Sequence, residues 1–200
     1  MLAEIAPKLV MELRQRTGVG MMECKKALAE ANGDINLAIE GLRKSGAAKA
    51  ASRAERVASD GLVEAYIHPG GRVGVLVEVN CETDFVARTD DFAALVRNIA
   101  MHVAATNPLA LRREQVSPEL AAAERAIFVA QVQAEGKPEN IVEKIVDGKM
   151  NKWFSEIVLL EQPYVKDDKK TIADLIQEAI AKMGENIQVR RFAKFRLGQD

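Results

Sequence analysis

Histidine and cysteine are scarce in this chain of 200 residues, with two of each. That scarcity removes most routes to nucleophilic, redox or zinc chemistry. His68 precedes the turn residues Pro69-Gly70-Gly71, and His102 sits in the helical run Met101-His102-Val103. No serine or cysteine lies in a nucleophile-elbow setting, so a catalytic triad has no support. Cys24 and Cys81 are far apart and show no metal-ligand spacing, which suits a reducing compartment without a disulfide framework. Cys24 falls on an apolar helical stripe and reads as core. Gly18-Val19-Gly20 lacks both the preceding strand and third glycine of a dinucleotide fingerprint and the Gly-Lys-Ser/Thr ending of a phosphate loop. An enzyme, a bound cofactor and a resident metal are therefore not expected.

Charge of one sign is lacking as well. The 28 Lys and Arg nearly balance the 29 Asp and Glu, for a formal net charge of −1, so no bulk attraction to nucleic acid or anionic membrane is expected. No stretch approaches the ~18 apolar residues of a bilayer span. The start, Met1-Leu2-Ala3-Glu4, has no basic segment followed by a long apolar run. The expectation is a soluble cytoplasmic protein.

The patterns present predict an α+β fold. Over residues 1–46, Ile5, Leu9 and Leu13 recur at helical spacing, followed by Met21, Cys24, Leu28 and Ala31, then by Ile35, Ala38, Ile39 and Leu42. The breaks are Thr17-Gly18-Val19-Gly20 and Asn32-Gly33-Asp34, with Asp34 a ready N-cap. Three short helices with a thin core follow from this. Character then changes: Arg43, Lys44, Lys49, Arg53 and Arg56 stand among alanines. Residues 47–59 read as a basic linker, a solvated connector rather than a binding patch, and the pattern leaves its helicity open.

Residues 60–200 read as a core domain with a small antiparallel sheet packed by helices. Leu62 to Ile67, the turn His68-Pro69-Gly70-Gly71, and the alternating Val73, Val75, Val77 and Val79 predict a hairpin with one buried face. Thr89-Asp90-Asp91 caps a helix carrying Phe92, Leu95, Val96, Ile99 and Val103. Ser117-Pro118 starts another, and further helices are predicted near 139–153 and after Thr171, where Asp174 completes a capping box. Ile187, Val189, Ala193, Phe195 and Leu197 alternate as a third strand, expected to pair with the hairpin and to share an apolar face. Arg190, Lys194 and Arg196 would then lie on the opposite, solvated face. Basic residues interleaved with aromatics can bind single-stranded nucleic acid, so a ribosome- or RNA-associated binding module is the competing class. The neutral charge and poor aromatic platform count against it.

The least ordinary run is Asn80-Cys81-Glu82-Thr83-Asp84-Phe85-Val86-Ala87-Arg88, between a strand and a helix. Its residues leave two readings open. Thr83 or Asp84 caps a turn with Phe85 tucked into the core, or the run exposes an acid beside a large apolar ring.

This run, extended back through Glu78-Val79, resembles a signature of the elongation factor Ts family. Leu13-Arg14-Gln15-Arg16-Thr17-Gly18-Val19-Gly20-Met21-Met22-Glu23-Cys24-Lys25-Lys26-Ala27-Leu28 resembles a second. Asn32-Gly33-Asp34 through Arg43-Lys44-Ser45-Gly46 continues it, and Ile99 to Ala105, Glu161 to Val165 and Gly184-Glu185-Asn186-Ile187 are similar to later family segments. The likeness runs in order along the whole chain. It implies a guanine nucleotide exchange factor for elongation factor Tu, acting on the GDP-bound and nucleotide-free partner. The three helices would form a ubiquitin-associated-like docking bundle, with Arg14, Met21, Met22 and Lys25 at the contact. Met21 is expected to face inward and Met22 outward. Thr83, Asp84, Phe85 and Val86 match the segment that dislocates Mg²⁺ in the partner, with Phe85 as an apolar wedge. His102 matches a contact position, and a satisfied core histidine is the alternative. Longer family members resemble two related subdomains plus an inserted helical hairpin, whereas this chain holds material for about one subdomain. A three-stranded sheet leaves an edge or a face needing cover, which suggests a homodimer, in which the His102 contact could come from either protomer.

Overall fold

The computed structural model describes residues 5–199. The Met1-Leu2-Ala3-Glu4 start read above for a leader lies outside those residues, as does Asp200. The described chain is α+β. A three-stranded sheet of order β1-β2-β5 is made by β1 (Asp60–Ile67), β2 (Val73–Cys81) and β5 (Gln188–Arg196). A two-stranded antiparallel sheet pairs β3 (Pro163–Tyr164) with β4 (Asp167–Thr171). The chain divides into two compact units. One runs to Val63 and adds Glu78–Val96 and Asp174–Arg190. The other takes Glu64–Val77, Arg97–Ala173 and the chain from Arg191 on.

The first unit opens with α1 (Pro7–Thr17), α2 (Met21–Glu30) and α3 (Ile35–Arg53). Pro7 starts α1, where a missing N–H costs nothing. Gly18 ends α1 in the left-handed region, at φ 68°, and donates its N–H to the Arg14 carbonyl. Asp34 caps α3: its Oδ1 accepts from the N–H groups of Asn36 at 2.8 Å and Leu37 at 3.0 Å. Val10, Leu13, Val19, Cys24, Leu28 and Ala38 form the buried centre of the bundle. Met21 corrects the expectation of an inward side chain: it is 43% exposed. It is the first residue of α2, so no preceding helical turn covers it, and Val19 and Cys24 occupy the core beneath.

Helix α3 does not stop where the third apolar stripe ends. It continues to Arg53, through alanines that favour helix. Its Gly46 is buried, and a Cβ there would stand 3.5 Å from that of Ala181 on α8 (Ile172–Met183). Most of the basic residues of this stretch find carboxylates, while Arg53 keeps a buried Nη1 with no hydrogen-bond partner among the described residues. Arg43 pairs with Glu178 at 3.9 Å, Arg56 with Glu82 at 3.5 Å, and Lys49 with Glu23. At the start of β1, Gly61 has φ +144°, and a Cβ there would lie 2.1 Å from the Val79 carbonyl oxygen. Only glycine fits so close to β2.

The hairpin turn closes through His68 N–H to the Val73 carbonyl and Gly71 N–H to the His68 carbonyl, both 2.9 Å. Val75, Val77 and Val79 are buried, as the alternation predicts. The third strand departs from its predicted phase. Ile187 and Val189 are buried, but Phe195 and Leu197 are 68% and 69% exposed. Arg190 and Arg191 both face solvent. Two successive outward residues shift the alternation by one position. Phe192 and Lys194 therefore take the half-buried places, and the Lys194 ammonium donates to the Ala104 carbonyl at 2.9 Å.

The second unit contains a helical hairpin, made by the two helices that the Ser117-Pro118 start and the run near 139–153 predict. Helices α6 (Pro118–Ala134) and α7 (Glu139–Ile157) bury Val132, Val146 and Met150 against Phe128, Ile145 and Phe154. Ser117 caps α6, its Oγ accepting from Leu120 N–H at 3.0 Å. Thr89 does the same for α5 (Asp90–Thr106), at 3.2 Å from Phe92 N–H. Among the described residues no helix is long and apolar enough to cross a membrane.

Candidate functional site

Strand β2 ends at Cys81, and the chain turns through Glu82 and Thr83 into the one-turn helix α4 (Asp84–Ala87). Thr83 is extended, at φ −132° and ψ 156°, as an N-cap should be. Its hydroxyl accepts from Val86 N–H at 3.4 Å and donates to Glu185 Oε1 at 2.6 Å. The other oxygen of Glu185 accepts from the backbone N–H groups of Glu82 at 3.0 Å and Thr83 at 3.1 Å. Glu82 returns the contact, its Oε1 accepting from Asn186 N–H at 2.6 Å. Asn186 is buried and donates to the Arg56 carbonyl at 2.7 Å. Two short segments about a hundred residues apart in sequence are thus latched by reciprocal carboxylates.

Beneath the turn, Cys81 donates its thiol proton to the Thr83 carbonyl at 3.2 Å. Burial, and then the Glu185 carboxylate, push that thiol up to about 11, so it stays protonated and is no nucleophile.

The geometry resolves the two readings of Phe85. Ala87 is the buried residue of α4, while Phe85 is 80% exposed. A four-residue helix can turn only part of its surface inward, and here the small side chain takes that place. Asp84 is half exposed and pairs with Arg88 at 2.9 Å, a surface pair that contributes little to stability. Val86 is half-buried. The result is a phenyl ring standing in solvent beside a carboxylate, on a backbone held by at least five hydrogen bonds.

The same unit carries the bundle positions. Arg14 lies in the last turn of α1, and Met21, Met22 and Lys25 lie in the first turns of α2. All four are exposed, Met22 by 78%. Met11 is exposed too, three residues before Arg14 and so on the same side of α1. Sequence reasoning gave no role to Glu185.

Comparison with known proteins decides the family. A family model described as Elongation factor TS matches residues 39–181. The chain is 59% identical over 195 residues to an elongation factor Ts of Moorella thermoacetica, covering 98% of this chain and 96% of the relative. The elongation factor Ts of Syntrophobacter fumaroxidans is 55% identical over 200 residues, all of both chains. That of Carboxydothermus hydrogenoformans is 57% identical, over 98% of this chain and 90% of the relative. The chain belongs to the elongation factor Ts family. It is thereby a translation elongation factor, and its α+β fold with an N-terminal helical bundle agrees with that membership.

His102 lies in the other unit. It is fully buried on α5. Its Nδ1 accepts from Val165 N–H at 3.3 Å, so Nε2 carries the proton toward Gln162 Oε1, 2.9 Å away. Gln162 Oε1 also accepts from the Thr106 hydroxyl at 2.9 Å, and Gln162 Nε2 donates to the Glu156 carbonyl at 2.6 Å. Every polar atom of the ring is satisfied, and its direct neighbours are parts of its own unit. Among the described residues no cluster of His, Cys, Asp or Glu could hold a metal ion.

Burial holds the His102 pKa below its ordinary value, against the opposing pull of Gln162. The unfolded chain therefore binds a proton more readily there than the folded one. Stability from this site is full above about pH 6.5 and falls as pH drops through the folded pKa, by at most about 1.4 kcal/mol per unit. Urea denaturation at pH 7 and pH 5 should show this acid loss, and His102→Gln should shrink it. An equal loss in the variant would assign the acid sensitivity elsewhere.

Proposed function

We propose that this family member is a guanine nucleotide exchange factor for elongation factor Tu, acting in the cytoplasm and making or breaking no covalent bond. The observation that carries this reading is the bare Phe85 ring on an immobilised turn. A buried phenylalanine gains roughly 1.5–3 kcal/mol over an exposed one, so leaving this ring in water forgoes stability that a partner's apolar pocket can supply. Thr83, Asp84, Phe85 and Val86 form the segment that enters the GTPase. Phe85 parts apolar elements of the partner, and Asp84 disturbs the shell that holds Mg²⁺ near the β-phosphate. Arg14, Met21, Met22 and Lys25 on the bundle dock the factor on the same GTPase. His102 contributes through the order it gives Gln162 and Val165.

The energetics take a definite form. A nucleotide held at ~nM affinity is bound by about 12 kcal/mol. A protein that binds the nucleotide-free GTPase better than the loaded one must weaken nucleotide binding by the same factor. GDP then leaves faster, and GTP in excess displaces the factor.

A second copy of this chain is proposed to cover an apolar sheet face in the second unit. Ile67, Leu76, Phe195 and Leu197 are exposed there around a shallow depression of about 510 Å³ that Ala65 and Gly74 also line. The depression is mainly apolar, with Arg196 the one charged residue lining it; such a face matches another apolar surface, and a two-fold axis would bring the same face against itself. Phe195 on that face and Lys194 tied to the Ala104 carbonyl favour this reading over a nucleic-acid platform on the C-terminal strand.

Two measurements test these readings. Release of a fluorescent GDP analogue from elongation factor Tu should be strongly accelerated by the parent protein. Phe85→Ala should cost about 2–4 kcal/mol of partner binding, the range of interface anchors, and Asp84→Ala/Phe85→Ala should abolish most of the acceleration. Equal acceleration by parent and double variant would move the active surface away from residues 83–86. Light scattering at micromolar concentration should give a dimeric mass that Phe195→Glu halves, and a monomeric parent would remove the dimer.

A further inference from the structure

We propose that Glu185 is a positioning residue for exchange: its carboxylate presets the Thr83–Val86 turn so that Phe85 meets the partner already aimed. The inference rests on the exchange reading and deepens it.

Helix α4 has four residues, too few to hold itself together in water. Its only side-chain cap is the Thr83 hydroxyl, which accepts from Val86 N–H. That hydroxyl can rotate, and what fixes its lone pair toward Val86 is the proton it donates to Glu185 Oε1, 2.6 Å away. The second oxygen of Glu185 binds the two backbone N–H groups that lead into the helix. One side chain therefore sets both the entry of the chain into α4 and the direction of its cap. Hydrogen bonds to an ionised acceptor are stronger and more directional than neutral ones.

Glu185 needs its own anchor, and the fold provides it. Its neighbour Asn186 is buried and gives its backbone N–H to Glu82 Oε1 and its side-chain amide to the Arg56 carbonyl. Phe85 makes no part of this latch and projects into solvent. The latch is thus not needed to bury the ring. It fixes where an exposed ring points, and preorganisation of this kind reduces what must be ordered on binding.

Stopped-flow GDP release at increasing factor concentration separates the maximal rate from the half-saturating concentration. The proteins compared are the parent, Glu185→Ala, Glu185→Gln, Phe85→Ala and Glu185→Ala/Phe85→Ala, each checked by thermal melting. Glu185→Ala should slow maximal release about tenfold, as expected when a net hydrogen bond or more of orientation is lost. The half-saturating concentration, set also by the bundle, should move less. Glu185→Gln keeps one acceptor oxygen and should fall between parent and Ala. Where Phe85 is already Ala, Glu185→Ala should cost no more than about a further twofold, because the two residues act as one unit. Full activity of the Glu185 variants beside a defective Phe85→Ala would overturn this inference and leave the exchange reading standing. Multiplying losses would do the same. Full activity of Phe85→Ala would move the active surface away from residues 83–86 and overturn this inference with it, whereas no acceleration by the parent would overturn the exchange reading itself. If Glu185→Ala fails to fold, the same cycle run with Glu185→Gln decides.

Discussion

A carboxylate accepts hydrogen bonds in several directions and donates none, and Glu185 uses that property to hold a turn that has little else to hold it. Three donors of Glu82 and Thr83 converge on its two oxygens. The features that make residues 83–86 unusual depend on this. The extended backbone of Thr83, the single turn of α4 and the outward Phe85 would each be one conformer among many in a free loop. A loop that orders only on contact pays for that order from its binding energy.

The exposure of Phe85 is best understood beside the residues that are not exposed. In the same unit Cys81, Ala87 and Phe92 are buried, so the core beneath the turn is filled without the ring. Met22, at 78% exposure, is the counterpart on the bundle, where α2 begins. In each case a large apolar side chain stands at the first turn of a helix, where preceding residues give no cover. The second unit shows a different pattern, with apolar side chains spread across a sheet face. An anchor residue and a flat apolar face serve different ends, the first suiting insertion into a partner and the second suiting broad pairing.

What was legible in the sequence was local. Asp34, Thr89 and Ser117 cap helices because a short side-chain oxygen reaches N–H groups two or three residues on, and that spacing is written in the chain. The alternating valines of β2 declare a buried face directly. The phase of β5 was misread because the slip at Arg190-Arg191 depends on what each side of the strand packs against. Met21 was misread because a helical stripe does not reveal where a helix begins relative to its neighbours. Helix α3 runs on through its alanines because they favour helix, and its Gly46 is buried against Ala181 of α8. For the candidate site, the resemblance marked residues 83–86, but the direction of Phe85 and the part played by Glu185 rest on hydrogen bonds spanning over a hundred residues, beyond any local pattern.

On the proposed exchange function, the factor and GDP each weaken the other's hold on elongation factor Tu. Calorimetric titration of this protein into nucleotide-free and into GDP-loaded elongation factor Tu tests it directly. The account predicts much tighter binding to the nucleotide-free form, by the same ratio as the loss of GDP affinity measured in the factor's presence. Equal affinity for the two forms would contradict it, however tight the binding.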